Sequence, residues 1–187
     1  MAIVQLMNKP LRFLLIANSI NILADNLFVP IYALFITKLG GGPQLAGILF
    51  AIRFLSIAVF VLLIQRFRDK VNLDSQMLQV CFLIKTIAWT FLAFNQSIPA
   101  LVIAQIAFGL SGAIGAPAFN SLVSENLDKK RHIHDWGIWE LMQNLAIAVA
   151  AALSGFIMVS FGFSFLFILM ATLEFISLLV YRSTHTK

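Results

Sequence analysis

The sequence predicts an all-α, polytopic membrane protein of six transmembrane helices, on three observations. Of its 187 residues 60% are hydrophobic and 11% charged, whereas a soluble domain carries about a quarter charged residues. The apolar residues gather into runs that approach or exceed the roughly 20 residues needed to span a bilayer. The basic residues fall between alternate runs, almost all on one side, which is the pattern that orients membrane proteins. The net charge of +5 is therefore an orientation signal rather than a stripe for nucleic acid. The first partner the composition implies is the lipid bilayer.

Each segment has its own punctuation. The first covers residues 11–37, with Asn8 and Pro10 at its start and Gly40-Gly41-Gly42 after its end. Pro43 opens the second, 43–66. Asp74-Ser75 is a capping pair for the third, 74–94. Ser97 and Pro99 open the fourth, which ends near Val123, and the fifth and sixth cover 136–160 and 163–181. The whole of 1–187 reads as one domain. The first run is no signal peptide, because it holds Asn18, Asn21, Asp25 and Asn26 and is too long.

Lys9, Arg12, Arg66, Arg68, Lys70, Lys129, Lys130, Arg131, Arg182 and Lys187 lie on one side, and only Lys38 on the other. The richer side is expected to be cytoplasmic, with both termini, in a cell (inner) membrane. Pro10 and Pro30 punctuate the first segment much as Pro99 and Pro117 punctuate the fourth. Those two segments cross in opposite directions, as in the 3+3 inverted repeats of many transporters.

Ionisable residues inside spans cost about 2.5–3.5 kcal/mol each on insertion scales, so each needs a reason. Asn18, Asn21, Asp25 and Tyr32 fall within about 60° of one another at helical spacing, forming one polar stripe. An acid on that stripe can bind a cation or a coupling proton. Asp25 and Arg53 each lie thirteen residues from a cytoplasmic marker, roughly 20 Å deep. They are expected to pair, or Arg53 to hold an anionic group of a solute. Lys85 and Glu174 are read as structural, with Lys85 snorkelling part of the way out. Glu140 lies near the start of the fifth segment, with Trp136, Gln143 and Asn144 on its face. His132 and His134 are read as loop residues, and no metal site or cofactor is expected. Cys81 is a small buried apolar residue.

The run Gly109-Leu110-Ser111-Gly112-Ala113, with Gly115, Pro117, the basic Lys129-Lys130-Arg131 and Trp136-Gly137, resembles helices 4 and 5 of the major facilitator superfamily. Gln65-Arg66-Phe67-Arg68-Asp69-Lys70 sits where that family carries a basic loop signature. Here Gln65 and Arg68 replace the signature's Asp and Gly, and Gln105 stands where proton-coupled drug antiporters have an Arg. The antiporter motif of helix 5 falls on Gly137, Ala146, Ala150, Ala151, Ser154 and Gly155, keeping small residues but few glycines.

The resemblance covers the whole chain and implies the N-terminal six-helix half of a twelve-helix secondary transporter, moving a small solute by alternating access. It implies that helices 1 and 4 line the cavity, with Asn18, Asn21, Asp25, Tyr32, Arg53 and Gln105 as its binding residues. Helices 3 and 6 would be peripheral. Helix 5 would face the other half through Glu140, Gln143, Asn144, Ala148, Ala151, Ala152 and Gly155. That half is expected to come from a longer chain or from a second copy, as a parallel homodimer. A non-transporting scaffold or sensor is the alternative. An intramembrane protease built on Ser111 lacks a histidine in any span to act as base.

Overall fold

The computed structural model describes residues 8–68, 73–127 and 132–183, with backbone alone for 65–68. The helices are α1 (Lys9–Asn26), a 3-10 turn (Val29–Ile31), α2 (Tyr32–Lys38), α3 (Pro43–Arg68), α4 (Asp74–Phe94), α5 (Ile98–Asn126) and α6 (His132–Arg182). Among the described residues five segments are long and apolar enough to cross a membrane, α1 and α2 counting as one. Of the expected loop signature, the side chains of Arg66 and Arg68 and all of Asp69 and Lys70 lie outside the described residues. So do Lys129, Lys130, Arg131 and Lys187.

The first expected helix is two. Pro30 has no N–H to donate and its ring crowds the preceding turn. The backbone tightens there into three-residue bonds, Phe28 N–H to Asp25 O at 3.3 Å and Ile31 N–H to Phe28 O at 3.2 Å. Pro117 lies inside the unbroken α5. Ser97 caps α5 as expected, its hydroxyl accepting from Ala100 N–H at 3.3 Å. Asp74 does not cap α4. It stands in the first turn, behind Leu73, where a negative charge still suits the helix dipole.

The expected fifth and sixth helices form one element of 51 residues, about 77 Å if straight. Its backbone breaks at Gly162, with φ 80° and ψ 174°, a conformation glycine adopts without steric cost. Ile138 and Trp139 before the break join one apolar cluster with Leu178 and Tyr181 after it. The element therefore folds back on itself, and the far ends of arms 132–161 and 163–182 reach the same end of the bundle.

Two apolar clusters fill the bundle. One holds Leu11, Leu78, Phe82, Val123, Trp139 and Tyr181. The other holds Phe35, Leu49, Trp89, Leu101, Phe108 and Phe167. Polar clasps mark the same two ends. Asn8 donates to the Asn126 carbonyl at 3.3 Å, and Tyr181 to Ser75 at 3.0 Å. At the opposite end Lys38 donates to Gln96 at 2.8 Å, and Gln96 to Ser164 at 2.6 Å.

α1 packs on α6, α4 on both α5 and α6, and α3 mainly on α5. The outer face of α3 leaves Phe50, Phe54, Leu55, Val59 and Leu62 exposed. Close approach on α5 depends on glycine. A Cβ at Gly109 would collide with Ser56 and stand 3.0 Å from the Arg53 carbonyl of α3. A Cβ at Gly115 would collide with the Cys81 sulfur of α4. Small residues at such crossings let backbones approach where no water drives association.

Gly115→Ala is expected to destabilise the bundle by about 1–3 kcal/mol, the usual cost of overpacking. Adding Cys81→Ala should recover most of that loss. Equilibrium unfolding in detergent measures both, and equal instability of the single and double variants would show that the α4–α5 contact is not the cause.

Candidate functional site

Between the two apolar clusters lies a layer of charge drawn from four helices. Asp25 comes from the end of α1, just before the proline break. Arg53 comes from the middle of α3, Lys85 from the middle of α4, and Glu174 from the second arm of α6. The Lys85 ammonium donates to Asp25 Oδ2 at 2.5 Å and to Asn21 Oδ1 at 2.6 Å. It lies 3.8 Å from Glu174 Oε1. The Arg53 guanidinium stands 3.9 Å from Asp25 Oδ2 and 5.4 Å from the centre of the Phe108 ring.

The expected Asp25–Arg53 pairing is thus present but is the longer contact, because Lys85 takes the same oxygen. Lys85 does not snorkel. It is 6% exposed and turns inward, and Glu174 is 0% exposed. The expected snorkelling of Lys85 is therefore corrected, since burial and two short hydrogen bonds hold its ammonium inside the bundle. Lys85 lies eleven residues after Asp74, about 17 Å along the helix. The depth argument that joined Asp25 to Arg53 would therefore have brought Lys85 to the same level. The signal for Glu174 was weaker, since only its cost inside a span marked it.

Two cavities flank the layer. The first, of about 70 Å³, is lined by Asp25, Tyr32, Arg53 and Gln105 together with Phe28, Phe50, Trp89 and Phe108. Gln105 donates to the Tyr32 hydroxyl at 3.1 Å. Asp25 Oδ1, Gln105 Oε1 and Trp89 Nε1 are buried without a hydrogen-bond partner. Two acceptors and one donor therefore stand unsatisfied around one aromatic-walled space, an arrangement that costs free energy until a ligand or water meets them. The second cavity, of about 280 Å³, is lined by Asn18, Asn21, Lys85, Asn120 and Gln143, among others. All six expected binding residues line one cavity or the other, split by the charge layer rather than gathered on one stripe. The division falls within α1 itself, between Asn21, which lines the second cavity, and Asp25, which lines the first.

On the first arm of α6, Glu140, Asn144, Ala148, Ala151 and Ala152 are exposed, while Gln143 and Gly155 are half-buried. Ala146, Ala150 and Ser154 are buried, four residues apart on the inward face. Ser111 is buried against Cys81, oxygen to sulfur 3.1 Å. His132 and His134, expected in a loop, belong to the first turn of α6, with His134 Nδ1 3.5 Å from Asp135.

The comparisons with known proteins agree with this architecture. No curated protein sequence matches the chain. The fold is similar to that in the in meso crystal structure of the POT family transporter PepTSo, with a TM-score of 0.82 at 14% identity. The match covers 95% of this chain and 37% of that one. The family model described as Major Facilitator Superfamily matches residues 14–187. This multi-pass membrane protein therefore belongs to the major facilitator superfamily.

Proposed function

We propose that the chain is one six-helix half of a secondary transporter that moves a small solute by alternating access. The observation that carries this reading is the convergence of Asp25, Tyr32, Arg53 and Gln105 on one cavity at mid-depth, with unsatisfied polar atoms facing it. The solute class this favours has a flat or apolar part for the aromatic walls. It also has a donor for Asp25 and Gln105 and an acceptor for Trp89.

The chain crosses the membrane six times, with the two arms of α6 as separate spans and both termini in the cytoplasm. Three features support this. Each arm of α6 is long enough for one crossing of a hydrocarbon core about 30 Å thick. Lys9, Arg12 and Arg182 gather at one end of the bundle. The backbone break at Gly162 also divides the 51-residue α6 into two apolar arms.

The other half is a second six-helix unit, from a longer chain or a second copy. In a homodimer, the exposed small residues of the α6 first arm and the open face of α3 meet their counterparts about a two-fold axis along the membrane normal. A proton or another ion couples transport through Asp25.

Access to the two cavities is tested with single cysteines in a Cys81→Ala background. An impermeant maleimide is expected to label Val29→Cys, which lines the first cavity, from outside intact cells. Asn18→Cys, lining the second, should react only in inside-out vesicles. Labelling of both from the same side would contradict the orientation and the two-sided access.

Ala151→Leu is expected to raise the dimer dissociation constant about tenfold in a mass measurement across protein-to-detergent ratios, since one side chain at a close helix crossing costs on the order of 1.4 kcal/mol. A wild-type chain that stays monomeric throughout, yet transports, would remove the homodimer. Unchanged dimerisation of the leucine variant would remove this face.

A further inference from the structure

Resting on the reading of a proton-coupled half-transporter, we infer that Asp25 and Glu174 hold one proton between them and that Lys85 moves to whichever carboxyl is charged. Geometry carries this. The cluster contains two cations and two carboxyl groups, but the cations are not shared evenly. Lys85 and Arg53 both stand against Asp25 Oδ2. Both oxygens of Glu174 are buried without a hydrogen-bond partner, and its nearest cation is Lys85 at 3.8 Å. A fully buried carboxylate with no hydrogen bond is too costly to keep its charge. On this geometry the proton sits on Glu174, while both cations are turned to Asp25 Oδ2.

The reverse arrangement needs little movement. A shift of the ammonium by about 1 Å brings Glu174 within hydrogen-bond distance, and Asn21 remains beside it. The exchange balances. The O–H bond of Glu174 breaks as its proton passes to Lys85 Nζ, which gives one of its own protons to Asp25 Oδ2, where the new O–H bond forms. Lys85 stays an ammonium, so the cluster's total charge is unchanged. Asp25 lines the first cavity and Lys85 the second, while Glu174 lines neither of these. The proton thus alternates between a seat facing a solute cavity and a seat sealed in the bundle.

The groups that face Glu174 from each packed element agree with this. α1 supplies Asp25, α3 supplies Arg53, and α4 supplies Lys85. Cys81 of α4 lies within the same electrostatic neighbourhood. The one titratable residue of α5 is Glu125, next to its C-terminal end.

The test is infrared spectroscopy of the full chain in lipid nanodiscs at neutral pH, reading the carbonyl stretch of protonated carboxyl groups. Wild type is expected to show such a band, and Glu174→Gln to lose it. Asp25→Asn should lose it as well, because Lys85 then moves to Glu174 and ionises it. Asp25→Ser serves the same purpose if the asparagine variant does not assemble. Absence of the band from wild type, or its persistence in Glu174→Gln, overturns the assignment of the proton. Persistence at full strength in the Asp25 variants shows a fixed neutral Glu174 and overturns the exchange. A wild-type chain that shows the expected bands but supports no solute flux removes the transport reading and leaves the proton exchange standing.

Discussion

Four ionisable side chains in the middle of an apolar bundle must find one another, and that requirement organises this structure. Each alone would cost several kcal/mol in a hydrocarbon surrounding. Lys85 meets the requirement by reaching Asp25 and Asn21 on α1 while lying close to Glu174 on α6. Arg53 adds α3 from the other side of Asp25. A buried ion pair need not stabilise more than a well-packed apolar core would, but losing one partner is severe. The cluster therefore specifies which helices are neighbours more than it adds stability.

The rest of the bundle is arranged around that layer. Apolar side chains fill the space toward each end, with aromatic rings in edge-on contact on one side, such as Phe28 with Trp89 at 5.5 Å and with Phe167 at 5.2 Å. Helices must also approach closely enough for short side chains to meet. Gly109 and Gly115 allow this by bringing α5 against α3 and α4. Asp25 lies just before the proline break, holds Oδ2 in the ion cluster and also lines the first cavity. Ion pairing and solute access are in this way linked through a single residue.

Much of the architecture was legible in the sequence because a membrane simplifies the physics. Run length, start and stop residues and the basic asymmetry follow from backbone satisfaction and the cost of moving charge. The expected boundaries of α3 and α4 agree with the structure to within two residues, and the expected break between the fifth and sixth segments falls at Gly162. Asn18, Asn21, Asp25, Tyr32 and Arg53 were singled out because polar residues on an apolar helix stand out, and Gln105 by its place in the resembled helix 4. What the sequence did not disclose was partnership. Periodicity gives the face of a residue on its own helix, not the helix that face meets. Lys85 was expected to snorkel outward for that reason, and the division of the polar stripe between two cavities depended on which neighbouring helices meet Asn21 and Asp25.

Lys85 and Asp25 depend on each other inside the bundle. A double-mutant cycle tests this dependence most directly, with Asp25→Asn, Lys85→Met and the pair combined, and stability read by equilibrium unfolding in detergent. The double variant is expected to be more stable than the sum of the single losses implies, with a coupling of about 1–3 kcal/mol, within the range for residues in one buried network. Losses that add to within about 0.5 kcal/mol, as for independent sites, would contradict it.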